Sequence, residues 1–230
     1  MFRKFIHTIF ISTLILFFTM LPFKAKSQGN LPFSDDKLLH FGFSLGLNFV
    51  DFNITPTNKD YNANVSDVVP GFSVGAISDL RLNRYLNLRF TPTLMFNQRI
   101  LNFQDSTKAD LLSVPLYLPF YLKYSSERTG NFRPYLIAGS GLWIDWGRNK
   151  EKSILLKPFD VLFEIGAGCN LYFAFFKLAP ELKFAFGLNN MLTPLNERDA
   201  GSLLNPETIR HTEAIQKLGT RMITLTFNFE

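Results

Sequence analysis

Alternation of apolar and polar residues is the dominant pattern along this chain from His40 onward. In the segment HFGFSLGLNFVDF the two sets fall at strictly alternate positions: Phe41, Phe43, Leu45, Leu47 and Phe49 in one set, Gly42, Ser44, Gly46 and Asn48 in the other. Successive side chains of a β-strand point to opposite faces, so this period of two predicts a strand with one apolar face and one small or polar face.

Seven further segments are predicted as strands, six with the same period and one with a mixed pattern, which makes eight predicted strands. They lie near residues 68 to 80, 85 to 98, 111 to 124, 133 to 146, 159 to 173, 177 to 190 and 220 to 230. Each is long enough to cross a bilayer, which takes roughly 9 to 11 tilted residues. An even strand count is typical of single-chain bacterial barrels. The sequence predicts an all-β, eight-stranded antiparallel transmembrane β-barrel in the outer membrane of a double-membrane bacterium; a soluble β-sandwich is the alternative.

Two of the predicted strands carry irregular features. The fourth contains Pro115 and Pro119, and because proline donates no hydrogen bond to a strand ladder, we expect a kink or bulge there. The fifth is mixed on both faces, so the pattern does not orient it. It ends at Trp143 and Trp146, where we expect an interfacial aromatic girdle.

The connections between the predicted strands alternate in length. Short turns are predicted near 81 to 84, 125 to 131 and 174 to 176, and longer links near 53 to 67, 99 to 110, 147 to 157 and 191 to 219. Outer-membrane barrels have short periplasmic turns and longer outer loops, so we expect both termini in the periplasm. In the last link, Asn205-Pro206-Glu207 is a helix-start signal and predicts a short helix through about Leu218.

The N-terminal segment has the pattern of a secretory signal peptide. Arg3 and Lys4 precede an apolar run from Phe5 to Leu21, and Ala25 and Ser27 occupy the alternate small positions of a cleavage site. We therefore expect residues 1–27 to be cleaved and residues 28–230 to form the barrel domain. The alternative is an uncleaved membrane anchor, for which this run is short.

Charge and cysteine content exclude several classes of function. The formal net charge is +5, from 24 basic and 19 acidic residues, but four of the basic residues lie in the first 27 positions, which contain no acid. The remaining 20 basic against 19 acidic residues leave +1, so a nucleic-acid partner is not indicated. The single cysteine, Cys169, excludes an internal disulfide framework and is most simply a small apolar strand residue.

Charged residues of both signs fall on the polar faces of the predicted strands, which face the lumen of a barrel. These residues are Arg89, Lys123, Asp160, Glu164, Glu181 and Lys183. An eight-stranded barrel has an interior that its own side chains fill, so we expect a structural ion-pair network. The alternative is a proton path or a general acid/base pair formed by Glu164 and Glu181.

The histidines do not indicate an active site. His7 lies in the signal peptide, and His40 and His211 are predicted at opposite membrane faces, His40 as an interfacial residue and His211 as a solvated helix residue. No phosphate loop, paired-histidine metal spacing or nucleophile elbow is present. We therefore expect a protein that is not an enzyme, with no catalytic, cofactor-binding or metal-binding residues and no small-molecule substrate.

Three segments resemble the PorT family of outer-membrane barrel proteins, within a resemblance that runs from Asp35 to Phe229. They are DDKLLHFGFSLGLNFVDF, the fourth-strand LLSVPLYLPFYLKYSS, and FEIGAGCNLYFAFFKLAPELKFAFGLNNML. One departure from the family pattern is the C-terminus, which ends Phe229-Glu230 instead of on the aromatic residue.

The resemblance implies participation in the type IX secretion and gliding machinery, with outer-membrane lipid and other secretion-machinery proteins as partners. Because an eight-stranded lumen is too narrow for a folded protein, we expect an accessory or assembly component and not the conduit. An OmpX-like structural or adhesion barrel and a lipid-modifying outer-membrane enzyme are the alternatives.

Overall fold

The structure, a computed structural model, describes residues 31, 34–57, 63–103, 108–145, 154–198 and 206–230. Nearly all the regular elements in these residues are strands. They are β1 Leu39–Pro56, β2 Ala63–Val68, β3 Pro70–Arg81, β4 Leu86–Phe90, β5 Thr93–Phe103, β6 Lys108–Ser113, β7 Pro115–Ser125, β8 Phe132–Asp145, β9 Phe159–Tyr172, β10 Lys177–Gly187 and β11 Ile215–Phe229. Helix α1 spans Pro206–Glu213, and short 3-10 helices span Ser34–Asp36 and Leu195–Glu197.

The strands form one antiparallel sheet that closes on itself. Its order is β1-β11-β10-β9-β8-β7-β4-β3, and β3 pairs back with β1. Phe43 on β1, for example, has Phe229 of β11 on one side and Ala76 of β3 on the other. Closure of this kind leaves no free edge in the ring. A sheet that crosses a bilayer must be closed in this way, because unpaired backbone groups find no hydrogen-bond partners in the hydrocarbon.

Two of the predicted strands are interrupted. The third is divided into β4 and β5 at Thr91 and Pro92, and it runs past its predicted end to Phe103. The fourth is divided into β6 and β7 just before Pro115, which confirms the expected irregularity. Pro119 behaves differently, since it stays within β7 opposite Gly141 and does not break the strand.

The apolar faces of the strands point outward, which is the reverse of a soluble β-sandwich. Large exposed apolar side chains occur on every strand of the ring, and on β1 they recur at alternate positions: Phe41, Phe43, Leu45, Leu47 and Phe49. An exposed apolar surface of this extent marks a membrane or partner contact and is not found on ordinary soluble monomers. The β-sandwich alternative is therefore wrong.

The structure orients the fifth strand, β8, and corrects the expectation for Trp143. Phe132, Leu136 and Leu142 face outward, whereas Tyr135 and Trp143 face inward. Trp143 is only 1% exposed and packs beside Tyr117 in the lumen, so it does not belong to an interfacial girdle. Trp146 lies outside the described residues.

The two ends of the barrel differ, and we name them the turn end and the loop end. The turn end has the connections 82–85, 126–131 and 173–176 together with the C-terminus, and the loop end has the described segments 154–158 and 188–198 and helix α1. The links predicted at 53 to 67 and 99 to 110 are shorter than expected, because β1, β2, β5 and β6 extend into them. The helix also ends earlier than predicted, at Glu213, since Ile215 already pairs with Pro56 and Leu218 belongs to β11.

Glycines on the inner faces make room for large aromatic side chains. An added Cβ at Gly141 would lie 2.6 Å from the ring of Tyr117, and one at Gly168 would lie 2.5 Å from Tyr135. Both distances are far below van der Waals contact. The glycines at period two therefore allow tyrosine rings to fill the lumen.

Candidate functional site

Arg89 is the centre of an ion-pair network in the turn half of the lumen. Its Nη2 lies 2.7 Å from Asp79 Oδ2 and 2.6 Å from Glu230 Oε1, and its Nη1 lies 3.3 Å from Glu181 Oε2. All four side chains are at most 2% exposed. Buried charges of this kind persist only when they are paired and hydrogen-bonded, as they are here.

Three lysines complete the network. Lys123 pairs with Asp79 at 3.3 Å, and Lys183 pairs with Glu181 at 3.3 Å. Lys177 pairs with Glu230 at 2.5 Å. Each lysine contacts a carboxylate that is already part of the network, so charges from opposite walls of the barrel neutralise one another. The predicted network is present, and it joins Arg89, Lys123, Glu181 and Lys183 as expected.

Sequence reasoning missed three members of this network, although the alternation contains them. When the alternation of inward and outward positions is extended along each strand, it places three more charged residues on the inward face: Asp79, Lys177 and Glu230. Glu230 follows Asn228 on the inner face of the last strand. Glu230 therefore supplies a buried carboxylate to Arg89.

Glu164 lies deeper in the lumen and accepts a short hydrogen bond from Tyr121 Oη. Tyr121 Oη also lies 3.4 Å from Lys183 Nζ, and Tyr135 Oη donates to Glu181 Oε2 at 2.7 Å. Both glutamates are thus engaged by phenols inside a packed interior.

The loop half of the lumen contains an apolar cluster and a buried arginine that packs against aromatic rings. Val50, Met95, Tyr117, Trp143, Leu162, Ala185 and Met222 pack as one cluster. The guanidinium of Arg99 lies 4.3 Å from the centroid of the Phe52 ring, within the range of a cation–π contact. Arg99 is a further residue that sequence reasoning missed, because the third strand was ended at residue 98. Asp160 faces the lumen as predicted but does not join the network around Arg89; its Oδ1 accepts a hydrogen bond from the backbone N–H of Val161.

The segment before β1 closes the turn end. In the 3-10 helix, Asp35 accepts a hydrogen bond from Tyr172 Oη at 2.7 Å and pairs with Arg133 at 3.4 Å, while Asp36 pairs with Arg81 at 3.2 Å. Tyr172 and Arg133 belong to β9 and β8, and Arg81 belongs to β3 on the opposite side of the ring. The helix therefore bridges the mouth. The cavity beneath it measures about 10 Å³, roughly room for one water molecule.

The loop end is closed by an apolar cluster. Its members come from β1, from the segment before β9, from the segment after β10 and from the start of β11: Phe52, Ile154, Leu156, Met191, Leu192, Ala214, Ile215 and Leu218. Backbone hydrogen bonds tie these segments together, for example Met191 N–H to the Leu218 carbonyl at 2.8 Å. The described parts of the 191 to 219 link therefore pack onto the barrel mouth and are not a free surface excursion.

The two described histidines lie at opposite ends of the barrel, as predicted. His40 Nε2 contacts the Ser34 carbonyl at 2.6 Å at the turn end. His211 lies on α1 at the loop end and is 3% exposed, so the expectation of a solvated residue is wrong. Within the described ranges, no group of three or more histidine, cysteine, aspartate or glutamate side chains is arranged to hold a metal ion.

A closed antiparallel ring with an apolar outer belt and a polar lumen defines the class of outer-membrane β-barrel proteins. Residues 26–193 match the family of outer membrane protein β-barrel domains, and the chain belongs to that family. The protein is therefore a component of the outer membrane. None of the helices among the described residues is long and apolar enough to cross a membrane.

Two solved structures of outer-membrane proteins are similar to the chain at low sequence identity. The crystal structure of Neisserial surface protein A matches with 12% identity and a TM-score of 0.47, covering 84% of this chain and 98% of that one. The solid-state NMR structure of the outer membrane protein AlkL in lipid bilayers matches with 10% identity and a TM-score of 0.35, covering 91% and 92%. No curated protein matches the chain.

Proposed function

We propose that this protein is a non-catalytic accessory or assembly component of a type IX protein secretion system, and that it works through its surfaces and not through its lumen. The observation that carries this proposal is the filled interior. The ion-pair network around Arg89, the 3-10 helix at the turn end and the apolar cluster at the loop end each obstruct passage. A secreted protein would have to use another conduit.

The strand count supports a function that does not use the lumen. In the proposal, β2 with β3, β4 with β5, and β6 with β7 each act as one interrupted strand, so eight strands cross the membrane. An eight-stranded ring is just wide enough for its own side chains. The signal peptide over residues 1–27, which lies outside the described residues, remains the predicted route of delivery.

The loop end offers a surface for a larger partner. β1 has 18 residues, well beyond the roughly 9 to 11 that a crossing requires, so it projects past the bilayer. Beside it, β5 pairs with β2 on one side and with β6 on the other. β2 also lies against β1, whereas within the described residues β6 has no other strand partner. Strands with a free edge are templates for pairing with another chain.

The resemblance to the PorT family names the machinery that this partner would belong to. Deletion of the gene tests the assignment, with the whole secreted proteome quantified in the deletion strain and after complementation. We expect loss of many secreted proteins together, restored by the wild-type gene. A secreted proteome that the deletion leaves unchanged would refute the secretion role.

The projecting strands equally favour a second function, that of an OmpX-like structural or adhesion barrel. In that case the free strand edges contact surfaces outside the cell, and deletion alters adhesion while secretion continues. A lipid-modifying enzyme is less favoured, because His40 and His211 are separated by the length of the barrel and cannot serve one active site with a nucleophile.

A further inference from the structure

An apolar groove of about 600 Å³ runs over the outer wall of the barrel across β4, β7, β8, β9 and β10. Its lining consists of leucine, isoleucine, alanine, glycine and phenylalanine side chains with one tyrosine. The volume falls within the roughly 300–1,000 Å³ of ordinary small-molecule sites. Because this wall faces the hydrocarbon of the outer membrane, the occupant must be compatible with an apolar surrounding.

Two alanines produce the depression. Ala138 on β8 lies between Leu122 on β7 and Ile165 on β9 in the strand register. Ala167 on β9 likewise has leucines as its neighbours on β8 and β10. The two alanines are diagonal neighbours, so the depression crosses obliquely from one strand to the next while longer side chains form its walls.

The turn end of the groove opens beside an exposed pair of opposite charges. Arg84 Nη2 lies 3.3 Å from Glu127 Oε1, and the two side chains are 69% and 65% exposed. Tyr85 Oη donates to the same Glu127 oxygen at 3.0 Å, and the Tyr85 ring lies 6.4 Å from that of Tyr124, which lines the groove. A cation, an anion and two phenols therefore surround the point where the apolar groove meets water.

We propose that this groove binds one acyl chain of a diacyl phospholipid with a zwitterionic, amine-bearing headgroup. The lipid phosphate binds Arg84, whose guanidinium matches phosphate geometry, and the headgroup ammonium binds Glu127. An exposed ion pair contributes little to stability. Breaking the Arg84–Glu127 pair therefore costs little when each residue binds the opposite charge of the lipid instead. The proposal goes beyond the proposed function and holds whichever partner the loop end has.

Native mass spectrometry of the purified protein, in mild detergent micelles that contain equal amounts of phosphatidylethanolamine and phosphatidylglycerol, tests the groove. We expect one retained phosphatidylethanolamine per barrel. The double variant Ala138→Phe/Ala167→Phe fills the groove and should lower retention at least tenfold. Ala76→Phe, an exposed alanine on the lipid-facing side of β3, is the matched control and should retain the lipid. Heat-modifiability on a gel establishes that each variant has folded.

Single substitutions of the charged pair at the turn end of the groove test which lipid headgroup is bound. Glu127→Gln removes the partner of the ammonium. The ratio of retained phosphatidylethanolamine to retained phosphatidylglycerol should therefore fall toward one. Arg84→Gln should lower the retention of both lipids, since both contain the phosphate. Lys217→Gln, which changes an exposed charge at the loop end, should alter neither quantity.

Three results would overturn the proposal. Lipid retention that persists in the folded double variant would place the lipid elsewhere on the barrel. Equal retention of the two lipids by the wild-type protein would refute the headgroup assignment. A photo-crosslinking amino acid at position 138 that forms a protein adduct in cells, and no lipid adduct, would show that a protein occupies the groove.

Discussion

Arg89 shows how one side chain couples distant parts of the barrel. Its guanidinium contacts carboxylates from β3, from β10 and from the C-terminal residue, which come from opposite sides of the ring. Taking charges out of water is costly, and a network of this kind is stable only while every member is paired. Loss of the arginine leaves uncompensated carboxylates in a closed interior.

We therefore expect Arg89→Met to destabilise the barrel by about 3–5 kcal/mol, the usual cost of breaking a buried ion pair from one side. Urea unfolding in lipid vesicles, followed by tryptophan fluorescence, measures the change. Arg221→Met is the control, because Arg221 pairs with Asp51 at 2.7 Å on the surface, and its side chain is 51% exposed. That substitution should cost roughly 0–1 kcal/mol. Equal effects of the two variants would contradict the structural role of Arg89.

Glycines that make room for tyrosine rings in the lumen should not tolerate a larger side chain. Gly141→Ala places a methyl group 2.6 Å from the Tyr117 ring, and overpacking of this kind typically costs about 1–3 kcal/mol. Gly219→Ala is the matched control, since the nearest atoms to its added Cβ lie at 3.8 Å and 3.9 Å, ordinary contact distances. The same urea titration should separate the two variants, and a Gly219→Ala cost as large as that of Gly141→Ala would refute the packing argument.

Among the elements, the 3-10 helix Ser34–Asp36 is small but bridges the whole mouth of the turn end. It is held by side-chain contacts from three strands and not by a hydrophobic core of its own. Asp35 makes the greater part of these contacts and its side chain is 23% exposed, whereas that of Asp36 is 69% exposed. Elements with few buried apolar contacts open by local unfolding, so the contacts of Asp35 should decide how often this one opens.

Limited trypsin digestion provides a test, because Lys37 immediately follows the helix and is exposed. Asp35→Ala should accelerate cleavage after Lys37 several-fold by releasing Tyr172 and Arg133. Asp36→Ala removes one exposed pair and should have a much smaller effect. Fragment masses at successive times give the two rates, and identical rates would show that Asp35 does not hold the helix in place.

At the scale of the whole molecule, closure of the sheet produces cooperative stability. Each strand of the ring is hydrogen-bonded on both sides, and β1 joins β11 over fourteen residue pairs from Phe43 to Pro56. A ring without edges resists detergent, since no strand can be removed without breaking two ladders.

The unboiled protein, purified from the membrane fraction, should accordingly migrate faster on a detergent gel than the boiled protein. The folded barrel stays compact in the detergent, whereas the boiled chain is extended. Identical migration of the two samples would contradict a closed ring.

The same molecule should form no steady ion channel in a planar lipid bilayer. The lumen is packed, and both mouths are closed by independent elements. Asp35→Ala, which loosens only the turn end, should also remain non-conducting because the network around Arg89 stays intact. A stable open current through the wild-type protein would overturn the argument that the lumen is not a conduit.

The sequence alone determined where the strands lie and, for all of them but the fifth, which face is apolar, because a period of two follows from backbone geometry. It also placed Arg89, Lys123, Glu164, Glu181 and Lys183 on the lumen side. Only the tertiary structure decided what depends on contacts between distant segments. Trp143 lies inside because the register of β8 places it beside Tyr117, a choice that its mixed pattern left open. The helix ends at Glu213 because strand pairing with β1 takes over at Ile215. Glu230 became part of the network because closure of the ring brings the C-terminus to Arg89.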